Sequence, residues 1–232
     1  MNRKQTLVVG GSSGTGLAIA LALAERGEQV TLTSRSADTA SRLAAELGPD
    51  HRGIALDLTQ PESIEAALAH FDRIDHLVLA AVERDRNTVR AYDIAAATRA
   101  ITLKVVGYTA VIAALAGRMT PESAIVLFGG VSRTRPYPGS TTISQANAAV
   151  TGMVRTLAVE LAPIRVNAIH PGAIGDTPEI AGTPGAGERA LARTAGSRLA
   201  TMEDTVDATL FLLGNAGVNA VDLRVDAGFA RA

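Results

Sequence analysis

The chain has 232 residues, of which 47% are hydrophobic and only 3% aromatic, and its formal net charge is −1. This length suits one domain over residues 1–232 with a sizeable core. Because there is no cysteine, disulfides, thiol nucleophiles and cysteine-based metal sites are excluded, and the four histidines lack metal-ligand spacing. The near-neutral charge predicts no nucleic-acid partner, and the apolar runs are too short for a bilayer. We therefore expect a cytoplasmic protein without a metal.

Short runs of valine, leucine and isoleucine recur along the chain and predict strands that are covered on both faces. The seven candidates are Thr6–Val9, Gln29–Thr33, Gly53–Leu56, His76–Ala80, Ala124–Phe128, Arg165–Ile169 and Asp222–Val225. Amphipathic helical patterns separate them, the third of which is preceded by a capping-box pattern at Thr59 and Glu62. The alternation predicts βαβ units and a parallel sheet.

One segment breaks this rhythm, because residues 171–200 carry six glycines and three prolines. A loop of this length in a compact domain is usually functional. It follows a predicted strand, so we expect it at the carboxyl edge of the sheet, where α/β proteins bind ligands. We interpret it as a substrate lid with a short helix around Glu188–Arg193.

The strongest functional signal is a glycine-rich turn between the first strand and the first helix. We expect nucleotide contacts from Gly10, Ser12, Ser13, Gly14, Thr15 and Gly16. The glycines permit a tight turn and close approach of the backbone to a pyrophosphate, and the helix N-terminus favours an anion. In this strand–turn–helix context the pattern indicates a dinucleotide site rather than a plain turn.

The end of the second strand predicts which dinucleotide is bound. An NAD reader places an acid about 20 residues after the glycines to hold the ribose 2′-hydroxyl, but this chain has neutral Ser34 there. Arg35 follows and suits a 2′-phosphate, with Ser36 as a further hydroxyl donor, so the pattern favours NADP(H). The alternative is a solvated surface arginine. Asp57 and Leu58 are candidates for the adenine edge, although an Asp there is more often a turn residue.

These residues resemble the short-chain dehydrogenase/reductase family over essentially the whole chain. Its TGxxxGxG motif differs here only at Val9, and Leu157–Pro178 and the tail LRVDAGFA resemble the family's later segments. The resemblance implies a doubly wound Rossmann fold with a seven-stranded parallel sheet, helices on both faces, a small-molecule substrate, and homodimers or homotetramers packed through the two long middle helices. It also implies further cofactor contacts from Ala80, Ala81, Pro171, Gly172, Ile174 and Thr177.

The resemblance fails at the chemistry, because all four members of the family's catalytic tetrad are replaced. Ile143 stands at the tyrosine position, Asn147 at the lysine position, and Gly130, or Gly129 by a one-residue slip, at the serine position. Lys104 stands where the family has asparagine. Isoleucine has no proton to give, and a positioned general acid is worth ~10²–10⁴ in rate.

The exchanged lysine and asparagine admit two interpretations. In the first, Lys104 supplies an ammonium group from the opposite helix, within reach of Asn147 or the ribose. In the second, Lys104 faces solvent or a helix end and Asn147 is a remnant. We interpret His170, at the end of the sixth strand, as structural. Further polar residues are candidates for lining a substrate pocket: Ser132, Arg133, Arg135, Tyr137 and, in the lid, Arg189, Arg193 and Arg198.

Three functional hypotheses remain open at this point. The first is an NADP(H)-dependent oxidoreductase for a small carbonyl or alcohol with a non-standard catalytic set, in which Lys104 and Asn147 are the candidate catalytic residues. The second is a non-redox lyase, isomerase or cofactor-sensing regulator that retains the cofactor. The third is a catalytically silent subunit paired with an active relative.

Overall fold

Seven parallel strands form one sheet in the computed structural model, which describes residues 3–83 and 86–229. The strand order is β3-β2-β1-β4-β5-β6-β7. The strands are β1 (Gln5–Val9), β2 (Gln29–Ser34), β3 (Arg52–Ala55), β4 (Ile74–Leu79), β5 (Met119–Phe128), β6 (Arg165–Pro171) and β7 (Asp222–Val225). All seven predicted strands are present. The order reverses between β1 and β4, which places a ligand crevice at their carboxyl ends.

Helices cover both faces of this sheet. They are α1 (Gly14–Glu25), α2 (Ala37–Leu47), α3 (Ile64–Leu68), α4 (Ile94–Ile101), α5 (Tyr108–Leu115), α6 (Thr141–Glu160), α7 (Pro178–Ala181), α8 (Ala186–Leu191) and α9 (Met202–Gly214). One core cluster packs α1, α2 and α9 on the sheet, and another packs α3, α5 and α6 on the opposite face. The doubly wound Rossmann architecture is confirmed.

A π-helical turn, Thr102–Gly107, joins α4 to α5 and carries Lys104. Together with the 3₁₀ turn after α5, this helical stretch spans 94–118. It is long and apolar enough to cross a membrane by length and composition alone, but core helices pass the same test. Tyr108, Val111 and Leu115 are buried in the hydrophobic core between this helical stretch and the sheet, which accounts for the apolar composition of the stretch.

Two helix starts differ from what the sequence pattern suggests. The predicted capping box at Thr59 is wrong, because the Asp57 carboxylate accepts hydrogen bonds from both the amide and the hydroxyl of Thr59. A 3₁₀ turn then begins at Pro61. A reciprocal capping box occurs instead at α9, between Thr201 and Asp204.

The segment 171–200 contains α7 and α8 and lies at the carboxyl edge of the sheet. Its ends are tied down, because Ile174 bridges to Ala200 and the amide of Gly196 donates to the carbonyl of Ala227. The predicted short helix exists as α8, two residues earlier than expected. The substrate-lid role of this segment stays a prediction.

Candidate cofactor cleft and active site

The glycine-rich turn leads from β1 into α1 at the point where the strand order reverses. Gly10 has φ +82°, and a Cβ atom there would lie 2.6 Å from the backbone nitrogen of Ala81. A Cβ atom on Gly16 would lie 2.2 Å from the carbonyl oxygen of Gly10. Gly14 has φ +51° and open space around it. The first two positions thus require glycine for packing, whereas Gly14 leaves room for a ligand.

The N-terminus of α1 is built to receive an anion. Ser13 is the N-cap residue, and its hydroxyl makes no capping bond to the helix. Ser13 and Gly14 are exposed, and Ser12 and Thr15 are half-buried beside them. Free hydroxyls and amide groups at the start of a 12-residue helix suit a pyrophosphate. The residues present therefore fit the phosphates of a dinucleotide.

The β2 end places Arg35 at the surface next to Asp57. The guanidinium group of Arg35 is exposed. Ser34 accepts a hydrogen bond from the amide of Ser36, and the Ser36 oxygen caps α2 by accepting from the amide of Thr39. Both serine O–H groups therefore remain able to donate. The end of β2 has no carboxylate at the position where NAD-binding Rossmann proteins hold the ribose 2′-hydroxyl.

Asp57 is a turn residue by geometry, since its carboxylate accepts the two bonds from Thr59. Burial raises the pKa of Asp57, but these bonds and the nearby Arg35 and Arg99 outweigh it, so the pKa is lowered. Leu58 is 3% exposed and packs against Gly107, which leaves only its backbone to meet a ligand.

The opposite wall of the cleft comes from the β4 and β6 ends. The Ala80 amide donates to the Val9 carbonyl, which holds the β4 end beside the glycine turn. The other predicted contacts lie on the segment after β6: Pro171, Gly172, Ile174 and Thr177. A Cβ atom on Gly172 would lie 2.8 Å from the Asp226 Cβ, so the backbone there approaches the C-terminal turn closely. Thr177 is the N-cap residue of α7, but its hydroxyl donates to the carbonyl of Ile174 and makes no capping bond to the helix.

Lys104 is buried below the cleft, with 2% of its surface exposed. Its ammonium nitrogen lies 2.7 Å from the carbonyl oxygen of Phe128, and 3.2 Å from both the carbonyl oxygen of Ala81 and the hydroxyl of Tyr108. Burial lowers the pKa of Lys104 to about 7. The alternative of a solvent-facing lysine is thus wrong. The three bonds of Lys104 go to Ala81, Tyr108 and Phe128 and none goes directly to Asn147, while its reach to a cofactor ribose stays a prediction.

Asn147 instead joins the segment after β5. Its amide nitrogen donates to the hydroxyl oxygen of Ser132 at 3.0 Å. Its side-chain oxygen is buried and has no hydrogen-bond partner. Ile143 lies one turn earlier on the same face of α6 and is half-buried. The Ser132 O–H and the Asn147 side-chain oxygen are therefore the polar groups available to a ligand where α6 meets the segment after β5.

Neither glycine after β5 leaves room for the serine that the family pattern places there. A Cβ atom on Gly130 would lie 2.6 Å from the Asn147 amide nitrogen, and one on Gly129 would lie 2.4 Å from Nδ1 of His170. Asn147 and His170 thus occupy the volume that a longer side chain needs. The replacements at these positions fit one another sterically.

His170 is fully buried and carries a structural bond pattern. Its Nδ1 accepts from the amide of Gly130 at 3.2 Å, so the proton resides on Nε2, 2.6 Å from the Asp222 carboxylate. Burial lowers the pKa of His170, as does the charge of Arg133, and the bond to Asp222 opposes this only in part. A neutral histidine whose ring nitrogens are both engaged holds β5, β6 and β7 together.

Two polar contacts of the site were not predicted from the sequence. Tyr108 belongs to an apolar helical stripe, yet its hydroxyl donates to the Ala81 carbonyl at 2.7 Å and accepts from Lys104. The available signal was its spacing of four residues from Lys104, which puts both side chains on one helix face. The bond between Ser132 and Asn147 had no such signal. Among the described residues, no three histidine, aspartate or glutamate side chains are grouped to hold a metal ion.

The chain is similar to known proteins over nearly its full length. A family profile described as enoyl-(acyl carrier protein) reductase matches residues 9–230. Cis-4-hydroxycyclohexanecarboxylate dehydrogenase of Sinomonas cyclohexanicum is 33% identical, over 96% of this chain and 95% of its own. The short-chain dehydrogenase/reductase ucsE of Acremonium sp is 31% identical, over 98% of this chain and 96% of its own.

Solved structures agree with these sequence matches. A 3-ketoacyl-(acyl-carrier-protein) reductase from Brucella melitensis, complexed with NADH, superposes with a TM-score of 0.86 at 26% identity and covers 98% of both chains. The glycine turn, the strand order and the matches over the whole length agree with one another. The chain belongs to the short-chain dehydrogenase/reductase family of oxidoreductases.

Proposed function

We propose that this protein is an NADP(H)-dependent oxidoreductase that acts on a small carbonyl or alcohol substrate with a non-standard catalytic set. The observation that carries the proposal is the glycine cradle, whose Gly10 and Gly16 positions exclude any side chain while Ser13 and Gly14 stay open. When bound, the nicotinamide supplies or accepts a hydride. A relative solved with NADH supports the cofactor class.

Arg35 sets the preference for NADP(H). It is exposed at the end of β2, where its guanidinium fork can turn towards a 2′-phosphate, and the flanking serine O–H groups are free to donate. A charge-assisted hydrogen bond contributes roughly 1.5–3 kcal/mol. Two such bonds correspond to a preference of at least about 100-fold over NAD(H).

Proton supply falls to Ser132 rather than to position 143. Because the Asn147 amide already donates to the Ser132 oxygen, the Ser132 O–H points its donor elsewhere, and a substrate oxygen is the acceptor we assign to it. An alcohol is a weak general acid, so we expect slow turnover of ordinary carbonyls. The buried, unpartnered Asn147 oxygen is suited to accept from a ribose hydroxyl.

Lys104 acts as a positioning residue in this proposal. Its three donors are taken by Phe128, Ala81 and Tyr108, so it has none left for a substrate. It ties the ends of β4 and β5 together directly beneath the cleft. The exchange of lysine and asparagine between the two helices therefore keeps polar side chains beneath the cleft, but it does not supply a proton donor.

A catalytically silent, cofactor-binding subunit is the second candidate. The isoleucine at position 143 favours it, because no hydroxyl exists at that point of α6. Assembly as a homodimer or homotetramer through the long middle helices is part of the first proposal, whereas a silent subunit would use the same helices to pair with an active relative. Exposed apolar side chains on these helices, Val106 at 47% and Val159 at 78%, support such packing.

Fluorescence titration with NADPH and NADH tests the cofactor assignment. We expect tighter binding of NADPH by the wild type, and loss of that preference in Arg35→Ala with NADH affinity unchanged. Arg42→Ala is the matched control, since Arg42 is an exposed arginine on α2 paired with Glu46. Equal affinity of the wild type for both cofactors would overturn the assignment.

An NADPH-depletion screen over a panel of aldehydes and ketones tests the catalytic set. We expect turnover well below ~10 s⁻¹, the ordinary enzyme median. Ser132→Ala should abolish what activity there is while leaving NADPH affinity unchanged. Turnover near the median, or an active Ser132→Ala variant, would show that another acid operates.

A further inference from the structure

The substrate side of the cleft carries an unusual concentration of arginine. Arg135, on the loop after β5, and Arg193, just after α8, approach the same aromatic ring: their guanidinium carbons lie 5.4 and 5.2 Å from the ring centroid of Phe229. Arg135 also donates to the Phe229 carbonyl at 2.6 Å. The three residues come from three different segments that meet above the β5 and β6 ends.

Arg133 lies on the same loop as Arg135, two residues earlier in the chain. It directly follows Ser132, and its positive charge lowers the pKa of His170. Its Nε atom is buried and has no hydrogen-bond partner among the described residues. An unsatisfied buried donor is costly, and the cost is removed when an acceptor arrives.

Charge balance in this cluster is incomplete. Among residues 3–83 and 86–229, the arginines in ion pairs are Arg3, Arg42, Arg73, Arg99 and Arg198. The three cleft arginines are absent from that set. Two cations around one ring repel each other, and stacking on Phe229 offsets only part of this repulsion. A bound anion would relieve it.

We propose that Arg133, Arg135 and Arg193 bind an oxyanion of the substrate, so that the substrate class is a carbonyl or alcohol that also bears a carboxylate or similar acidic group. This rests on the proposed function, because it places the substrate between the arginines and the Ser132 hydroxyl. Arginine suits the task, since its planar fork binds carboxylates in a bidentate manner. Arg193 lies on segment 171–200, so an anion that it holds together with Arg135 would link this segment to the loop after β5.

Ligand-observed NMR titration with benzoate and benzamide, which match in shape and differ in charge, tests the proposal with and without saturating NADPH. We expect benzoate to bind at least about 10-fold more tightly than benzamide. Arg193→Gln should remove this preference and leave benzamide affinity unchanged. Arg189→Gln, an equal charge change on the same segment, is the control.

Arg193 is the most informative position to substitute, because it is exposed and its side chain makes no hydrogen bond within the described chain. Arg135→Gln is less informative, because it also removes the bond to the Phe229 carbonyl and so loosens the Phe229 turn. Equal affinities for benzoate and benzamide, or an Arg193→Gln variant that behaves like Arg189→Gln, would overturn the anion site. Failure of NADPH to bind would overturn the proposed function instead, and the titrations without cofactor still decide the anion site.

Discussion

Replacing Lys104 by methionine removes a buried titratable amine while keeping an unbranched stem of similar length. Burial lowers the pKa of this amine from 10.5 to about 7, which corresponds to about 5 kcal/mol at about 1.4 kcal/mol per pH unit. Between these two values the unfolded chain holds the proton and the folded chain does not. Stability of the wild type therefore rises with pH across this window, and the gain is lost as pH falls towards 7.

The assay is urea unfolding of the cofactor-free protein at pH 6.5 and pH 9.5. Relative to Lys104→Met, the wild type should gain about 3 kcal/mol between the two. Other groups titrate in both proteins and cancel in the difference. Lys4→Met, which removes the chain's other lysine from an exposed site, should retain the wild-type pH dependence. Parallel pH profiles for the wild type and Lys104→Met would show that the amine is not held in a low-dielectric site.

Three further outcomes follow from the glycine positions and are measured by urea unfolding and NADPH titration. Gly10→Ala should lose roughly 1–3 kcal/mol and most NADPH affinity, because its Cβ meets the Ala81 backbone at 2.6 Å in a positive-φ conformation; wild-type affinity would contradict this. Gly152→Ala, exposed on α6 with open space around its Cβ, should instead gain about 0.5–1 kcal/mol, and a loss would contradict the assignment of that helix. Gly130→Ser should cost roughly 1–3 kcal/mol through its contact with Asn147, and adding Asn147→Ala should recover part of this; additive losses would show that the two do not touch.

The sheet was predictable from the sequence because its strands are buried on both faces. Runs such as Leu7–Val9 contain little but apolar residues, and this composition has few alternatives in an α/β chain. The start of β5 was not predictable, since Pro121 and Glu122 are exposed and the pairing with β4 shifts register there. The apolar pattern begins only at Ala124.

Local polar competition explains the helix starts that the sequence pattern missed. At Thr59 the pattern matched a capping box, in which the Thr59 amide would donate to the Glu62 carboxylate. The Asp57 carboxylate, only two residues away, accepts from that amide instead, and from the Thr59 hydroxyl. At Thr201 the reciprocal partner is Asp204 rather than glutamate, so the usual motif is absent although the geometry is the same.

The steric role of the glycine turn was predictable from the sequence, and the contacts of Lys104 were not. Glycines at fixed spacing after a strand have a specific steric meaning, and Gly10 and Gly16 show it. The sequence around Lys104 does not say which acceptors its ammonium group meets, and in the fold the π-helical turn places it against the carbonyl oxygens of Phe128 and Ala81. Side-chain direction in a crowded cleft depends on neighbours that are remote in sequence.

Transfer of deuterium from NADPH labelled at the C4 hydride position would show directly whether this protein reduces a carbonyl with the cofactor. The purified protein is incubated with the labelled cofactor and a panel of keto acids and neutral ketones, and the products are analysed by mass spectrometry. We expect one deuterium in the alcohol formed from at least one keto acid, with the yield abolished by Ser132→Ala. Saturable NADPH binding without label in any product would contradict this and favour the hypotheses in which the cofactor is bound without hydride transfer.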